Sequence, residues 1–319
     1  STPAMEPGNH SRVTEFVLQG LLEHPNHLGL FFVLFLCLYL AVILGNSLII
    51  AAVVLHPPLH TPMYFFIANL AMLDIMCSSS VLPKMMENLL WGKKTISFEG
   101  CMAQLFAFTM SGATELMLLT VMSCDRYVAI CHPLRYVNLM TKKICITLAT
   151  GVWAVGIINS LVNTLLTLRL DFCGPNLIQH FFCEFPPVLA LSCSSTFLNQ
   201  VMVFLADIFL AMGNFLLTVM SYSFIIVAIL KIRSSKGMQK AFSTCSSHLL
   251  VVTLFYSSII YTYIRPSSSY SPDKDKFVAL MYTLVTPILN PLIYSLRNKE
   301  VKVGFRKIFP LATKQFSQE

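Results

Sequence analysis

Seven apolar stretches, near residues 29–55, 63–90, 102–124, 144–168, 199–230, 248–264 and 277–296, decide what this chain can fold into. Each approaches or exceeds the ~20 residues that a helix needs to cross a bilayer. Water cannot satisfy backbone N–H and C=O groups there, so only helices and closed barrels span the hydrocarbon. Barrel strands alternate over about ten residues, and these stretches do not. The fold class expected is an all-α membrane protein, a seven-transmembrane helix bundle. Composition agrees, since 55% of the 319 residues are hydrophobic and 12% charged, against about 25% charged in ordinary soluble domains. Residues 1–28 read as an outer segment, 29–296 as the bundle and 297–319 as an inner tail.

Charge placement gives the orientation. The segments after the first, third, fifth and seventh stretches, with their helix ends, carry 14 Lys/Arg and 3 acids. The opposite side carries 8 and 9, and three acids fall inside the membrane. The positive-inside rule therefore puts the amino terminus outside and the carboxyl terminus in the cytoplasm. The net charge of +7 reads as a cytoplasmic face and not as a nucleic-acid patch. Residues 1–28 lack a basic-then-apolar signal pattern, so the first helix is expected to serve as the insertion signal. Asn9-His10-Ser11 is a glycosylation acceptor on the outer side. In the tail, Lys299, Lys302, Arg306 and Lys307 interleave with Val301, Phe305, Ile308 and Phe309. That suits a short amphipathic C-terminal helix on the inner leaflet; a disordered basic tail is the alternative.

Five segments carry more specific information. Met122-Ser123-Cys124-Asp125-Arg126-Tyr127-Val128-Ala129-Ile130-Cys131-His132-Pro133 leaves an acid–arginine pair at the end of the third stretch. Gly45-Asn46 falls in the first, and Pro62-Met63-Tyr64-Phe65-Phe66-Ile67-Ala68-Asn69-Leu70-Ala71-Met72-Leu73-Asp74 opens the second. Lys240-Ala241-Phe242-Ser243-Thr244-Cys245-Ser246-Ser247-His248-Leu249 opens the sixth, and Pro287-Ile288-Leu289-Asn290-Pro291-Leu292-Ile293-Tyr294 closes the seventh. In this order they resemble the olfactory receptors, a branch of the rhodopsin-like G-protein-coupled receptors, in the tetrapod-type (class II) form. The resemblance implies a plasma-membrane receptor, set in lipid, for a small, volatile, largely apolar odorant. It also implies activation of a stimulatory, olfactory-type heterotrimeric G protein that raises cyclic AMP, and accessory proteins that assist trafficking.

Other classes fit less well. His-Glu-x-x-His, Gly-x-Ser-x-Gly and phosphate-cradling glycine loops are absent from the sequence, so no enzyme activity and no organic cofactor are expected. A transporter would show inverted repeats, and no internal repeat is visible.

Of ten cysteines, Cys37, Cys77, Cys124, Cys131, Cys145 and Cys245 fall in helices or on the reducing side. Cys101, Cys173, Cys183 and Cys193 lie outside, and sequence alone leaves three pairings open. The resemblance implies Cys101–Cys183 and Cys173–Cys193, stapling the second outer loop into a lid. His180-Phe181-Phe182-Cys183-Glu184 reads either as a metal cluster or as lid packing, and a disulfide at Cys183 favours packing.

Asp74, Glu115 and Asp207 are the acids inside spans, each costing roughly 2.5–3.5 kcal/mol unless paired or hydrated. Glu115 is about 16 Å above Arg126 and Asp74 about 18 Å above its own helix end at helical rise, so they share a level. Two carboxylates at one level share a proton or hold a cation. The expectation is a sodium or proton site with Asn46 and Asn290 nearby; a structural hydrogen-bond knot is the alternative. Asp207, about 13 Å deep in the fifth span, faces either a ligand or a neighbouring helix.

Helical spacing outlines a pocket from Leu105, Phe108, Thr109, Gly112, Ala113 and Leu116 on the third helix. Tyr256, Ile259, Ile260 and Tyr263 on the sixth and Leu280, Thr283 and Leu284 on the seventh complete it, with Asp207 at its level. Ordinary helix packing is the competing reading of each. Amine receptors carry an Asp where Phe108 and Thr109 stand, so a neutral ligand is expected. Tyr256 stands where most rhodopsin-like receptors have tryptophan. The family mechanism assigns coupling to Asp125, Arg126, Tyr127, Tyr222, His248, Asn290, Pro291 and Tyr294. Arg126, freed from Asp125, would meet Tyr222, Tyr294 and the G protein; Pro291 would break the seventh helix; Lys231, Arg233, Lys236 and Lys240 would face the partner.

Overall fold

A computed structural model describes residues 13–21, 28–263, 272–297 and 299–308. The chain runs through strand β1 (Glu15–Leu18), helices α1 (Leu28–Leu55) and α2 (Pro62–Trp91), strand β2 (Thr95–Ser97) and helix α3 (Phe98–Cys131). The short α4 (Tyr136–Leu139) leads into α5 (Lys142–Leu168), strand β3 (Leu177–Ile178) and the short α6 (Phe185–Leu189). The fifth span is α7 (Phe197–Ala206), a π-helical stretch Asp207–Met212, and α8 (Gly213–Leu230). Helix α9 (Ser235–Tyr263) is the sixth. Helix α10 (Pro272–Leu280), a second π stretch Met281–Val285 and α11 (Thr286–Arg297) form the seventh, and α12 (Lys299–Ile308) follows.

Six of these units among the described residues are long and apolar enough to cross a membrane. Helix α9 is the exception to the expected seven. It has 29 residues, but its first half is polar through Lys236, Gln239, Lys240 and a Ser/Thr/Cys run. It takes its place in the bundle by packing against α3, α8 and α11. The surface is that of a membrane protein: Leu30, Leu44, Phe209, Leu216 and Leu230 are exposed, while Asp74, Ser78, Ser111, Thr114 and Ser123 are fully buried.

Local chemistry explains the helix ends. Thr61, Ser97 and Thr141 cap the starts of α2, α3 and α5, each side chain accepting a backbone N–H from its first turn. Gly92 ends α2 at φ 65°, a left-handed conformation natural to glycine. Where α3 crosses α5, a Cβ on Gly156 would lie 2.0 Å from Thr114 Oγ1, and Ser160 Oγ donates to the Phe106 carbonyl at 2.7 Å. Only glycine permits that approach.

The seventh span shows how prolines shape a buried helix. Proline lacks an N–H, so each one frees the carbonyl four residues earlier. Pro287 frees that of Thr283, which accepts Ser78 Oγ from α2 at 2.7 Å. Pro291 frees that of Pro287, which accepts Asn46 Nδ2 from α1 at 2.9 Å. Pro291 packs on α1 at Gly45, where a Cβ would meet the proline ring at 3.4 Å, an ordinary van der Waals contact. The expected break at Pro291 is therefore not where the helix departs from regularity: α11 runs through Pro291, and the π stretch lies ahead of Pro287. Donors from α1 and α2 replace the missing bonds.

The tail helix matches its expected amphipathic form where described. Val301 and Gly304 are buried against α1 and the turn after it, Lys302 and Val303 are exposed, and Glu300 reaches His56 at 3.3 Å. Residues 306–308 have undescribed side chains, and Phe309 lies outside the described residues.

Candidate functional site

A lid closes the disulfide end of the bundle. Strand β1 sits between β2, antiparallel, and β3, parallel, so part of the segment before α1 belongs to the lid. Phe16 and Leu18 are fully buried beside Cys101, Cys183 and Val188. Sequence reading gave residues 1–28 only as an outer segment; the short apolar run Phe16-Val17-Leu18 was the signal available. Disulfides join Cys101 to Cys183 and Cys173 to Cys193. The Cys183 N–H donates to Gln104 Oε1 at 2.8 Å, and Gln104 Nε2 donates to the Ser80 carbonyl at 2.8 Å.

Beneath the lid, Phe182 meets Phe108 edge-on at 4.9 Å between ring centres, and Phe108 meets Tyr282 at 5.6 Å. One turn below Phe108, a Cβ built on Gly112 meets nothing within 4 Å, so the α3 face opens there. Thr109 and Ala113 are half-buried beside it, and Leu280 packs in the same cluster as Phe108. Other expected pocket residues are engaged elsewhere. Leu105 is fully buried against the lid cluster with Phe16 and Cys183. Leu116 is buried in the central core, and Leu284 is buried with the Phe108 cluster. Thr283 donates its hydroxyl to the Ala279 carbonyl at 2.7 Å. Tyr256 packs its ring on Phe215 at 5.1 Å and turns its hydroxyl toward Thr120 and Thr218. Asn9 lies outside the described residues, as do the side chains of Asp207, Ile259, Ile260 and Tyr263. Sequence reasoning placed Phe182 only in the packing of the lid, and it missed Tyr282 and Gln104.

In the lid's inner segment the His180 ring stacks on Phe181 at 4.8 Å. Burial, with Lys276 nearby, pushes His180 down to about 3, so it stays neutral. Burial, with Asp275 nearby, pushes Glu184 up to about 7 against a hydrogen bond from Tyr282. The metal reading of this segment fails on Cys183, whose sulfur is in a disulfide. Among the described residues no three His, Cys, Asp or Glu side chains gather as a metal site.

At mid-bundle, Asn290 Nδ2 donates to both Asp74 oxygens, at 2.9 and 3.2 Å. Glu115 lies within electrostatic reach of Asp74, and its Oε1 is buried with no hydrogen-bond partner among the described residues. The buried Asn46 amide donates to the Val42 and Pro287 carbonyls, at 3.0 and 2.9 Å.

At the opposite end, Arg126 holds Asp125 through both Nε and a terminal nitrogen. Tyr136 of α4 donates its hydroxyl to the other Asp125 oxygen at 2.8 Å. Burial beside Asp125 pushes the Tyr136 phenol up, which keeps it protonated and donating. Tyr222 bonds His248 Nδ1 at 2.6 Å, tying α8 to α9, and the buried Tyr294 hydroxyl has no partner among the described residues. Tyr127 lies against Phe224 and His132. Of the expected coupling residues, Asp125, Arg126, Tyr127, Tyr222 and His248 thus gather at this end, with Arg126 and Tyr222 each engaged by another partner, while Asn290 sits with Asp74 at mid-bundle and Pro291 lies against Gly45.

The comparisons with known proteins agree with this arrangement. A family model described as "Olfactory receptor" matches residues 35–311. The chain belongs to the olfactory receptor family. Human olfactory receptor 13G1 is 56% identical over 301 residues, covering 94% of this chain and 98% of the relative. Human olfactory receptor 13A1 is 54% identical, covering 95% and 92%, and mouse olfactory receptor 5AR1 is 46% identical, covering 95% and 98%. The protein is a multi-pass membrane receptor for odorants, without enzymatic activity, and its family works through G proteins.

Proposed function

We propose that this receptor takes a neutral, volatile, largely apolar odorant in the space under the lid. The observation that carries this is the aromatic roof of Phe108, Phe182 and Tyr282 above the open face at Gly112. Apolar walls with a few hydroxyls suit a small uncharged ligand, and α3 carries no acid between Glu99 and Glu115 to pair with an ammonium. The lid end faces outside and the Asp125–Arg126 end faces the cytoplasm, which puts the basic residues Lys231, Arg233, Lys236 and Lys240 inside.

Odorant binding favours a state in which Arg126 leaves Asp125 and Tyr136, and Tyr222 leaves His248. The ligand must bind that state more tightly for it to accumulate. The partner on the exposed face is a stimulatory, olfactory-type G protein, and the readout is cyclic AMP. Accessory proteins assist delivery to the plasma membrane. Asp74 and Glu115, whose Oε1 has no hydrogen-bond partner among the described residues, hold a sodium ion or share a proton, since two buried carboxylates at one level cannot both stay bare anions. An odorant panel scored by cyclic AMP in cells, repeated across sodium concentration with Glu115→Gln, tests both parts. Odorant-dependent output altered by sodium in the parent and not in the variant is expected. Output without any odorant response overturns the ligand reading, and identical sodium curves overturn the ion site.

A further inference from the structure

A groove of about 800 Å³ lies between the lid-side ends of α2 and α3, bordered by β1 and β2. Its α3 wall is nearly bare helix. Gly100, Ala103 and Ala107 line it, spaced three and four residues apart and so on one helix face. None carries more than a methyl group, and the run descends about 10 Å by helical rise. Ala103 is exposed and Ala107 half-buried on that face, at a depth where the bundle is surrounded by lipid.

The mouth of the groove is charged. Lys84 from α2, Lys93 from the turn ahead of β2 and Glu15 from β1 all line it. Lys84 leans toward the end of its helix, where its Nζ donates to Glu87 Oε2 at 2.7 Å. An ammonium has three donors, so this pair does not exhaust it. Glu15 and Lys93 are exposed at the rim. Trp91, two residues before Lys93, is exposed at the end of α2, as interfacial tryptophans are at the headgroup layer.

We propose that this groove is a site for one zwitterionic phospholipid, a phosphocholine lipid, seated between α2 and α3 beneath the amino-terminal strand. Its phosphate accepts from Lys84 and Lys93, its choline lies against Glu15, and an acyl chain runs down the Gly100–Ala103–Ala107 face. The charges at the mouth choose the headgroup. Two ammoniums and two carboxylates, those of Glu15 and Glu87, meet there, which suits a ligand carrying both signs. An anionic lipid or a fatty acid would face the two carboxylates with no cation of its own. The site shares its walls with the lid. Gln104 lines the groove and also accepts the Cys183 N–H while donating to the Ser80 carbonyl. Strand β1 turns Glu15 to the groove and buries Phe16 and Leu18 in the lid cluster. A seated lipid therefore steadies the lid from the side. The proposal rests on the orientation given above only for the outer leaflet as the source of the lipid.

Native mass spectrometry of the purified full-length receptor tests this without any odorant. The receptor is taken from detergent micelles holding equal amounts of phosphatidylcholine, phosphatidylglycerol and oleate. The parent should retain one phosphatidylcholine that is lost in Lys93→Gln and in Ala103→Leu with Ala107→Leu, each checked for an unchanged Tm in detergent alone. Lys142→Gln, on the exposed opposite face, should keep it. A parent that retains no phosphatidylcholine, or variants that retain it as the parent does, overturns the site. Phosphatidylglycerol or oleate retained at least as well, and lost in the same variants, overturns the zwitterionic headgroup. Hydrogen exchange of residues 13–19 should slow when phosphatidylcholine is added to the parent and stay unchanged in the groove-filling double variant. An equal response in both contradicts a lipid seated under β1. The orientation is tested separately, by staining an amino-terminal tag on intact cells.

Discussion

Removing one hydroxyl, with Tyr136→Phe, should raise signalling without odorant. Asp125 is fully buried, and its two oxygens are divided between Arg126 and Tyr136. A hydrogen bond to a charged group contributes roughly 1.5–3 kcal/mol. Tyr136 is half-buried, so the lower end, about 1.5 kcal/mol, is the appropriate figure for this pair. Every 1.4 kcal/mol is about a factor of ten in an equilibrium. If the bond exists only in the resting state, its loss raises the ratio of signalling to resting receptor by up to about tenfold. A receptor resting at about 1% in the signalling state would rise to about 10%, within the range in which minor states are populated. The assay is basal cyclic AMP in cells, normalised to surface receptor. Asp125→Asn should act in the same direction, and the double variant should fall short of the sum, because both changes weaken one cluster. Basal output of Tyr136→Phe equal to that of the parent at matched expression would refute the reasoning.

Other consequences follow from the packing. Cys101→Ser should prevent surface expression, since losing a native disulfide typically costs about 2–5 kcal/mol; flow cytometry on intact cells reads this, with Cys131→Ser near the parent level. Gly156→Ala pushes a methyl onto Thr114 and should destabilise by about 1–3 kcal/mol, seen as a lower Tm of the purified receptor. The double change Gly156→Ala with Thr114→Ala should recover part of that loss. Ser78→Ala should leave the Thr283 carbonyl unpaired at a cost of roughly 1–3 kcal/mol; hydrogen exchange should rise around residues 281–287 before it rises elsewhere in the bundle.

Much of this was legible in the chain, because the membrane enforces a local rule. Each span must be a helix whose own residues satisfy its backbone, so long apolar stretches announce themselves one at a time. The Asp125–Arg126 pair is local too, being adjacent in sequence. What escaped the sequence depends on distant partners. The Glu15–Leu18 strand exists only because Thr95–Ser97 and Leu177–Ile178 flank it. Ser78 and Asn46 reach carbonyls 205 and 241 residues away, so the place where the seventh span departs from a regular helix could not be read from Pro291 alone. Tyr136 sits in a short helix after His132-Pro133, and nothing in its neighbourhood points to Asp125. The pocket was half legible: spacing selected the α3 face at Thr109 and Gly112, while Leu105 of that face was claimed by the lid.

Separating ligand occupancy from output tests the account most directly. An odorant found to activate the parent is measured for binding and for cyclic AMP in surface-matched Arg126→Ala and Thr109→Val receptors. Arg126 lies about 25 Å below Thr109 by helical rise, too far to touch an odorant under the lid. Arg126→Ala should therefore keep binding, with at most a modest coupled change in affinity, and lose cyclic AMP output. Thr109→Val should shift potency and retain full output at saturation. Full-strength signalling from Arg126→Ala, or loss of binding in that variant with potency unchanged in Thr109→Val, would contradict a receptor that binds at the lid end and couples at the other.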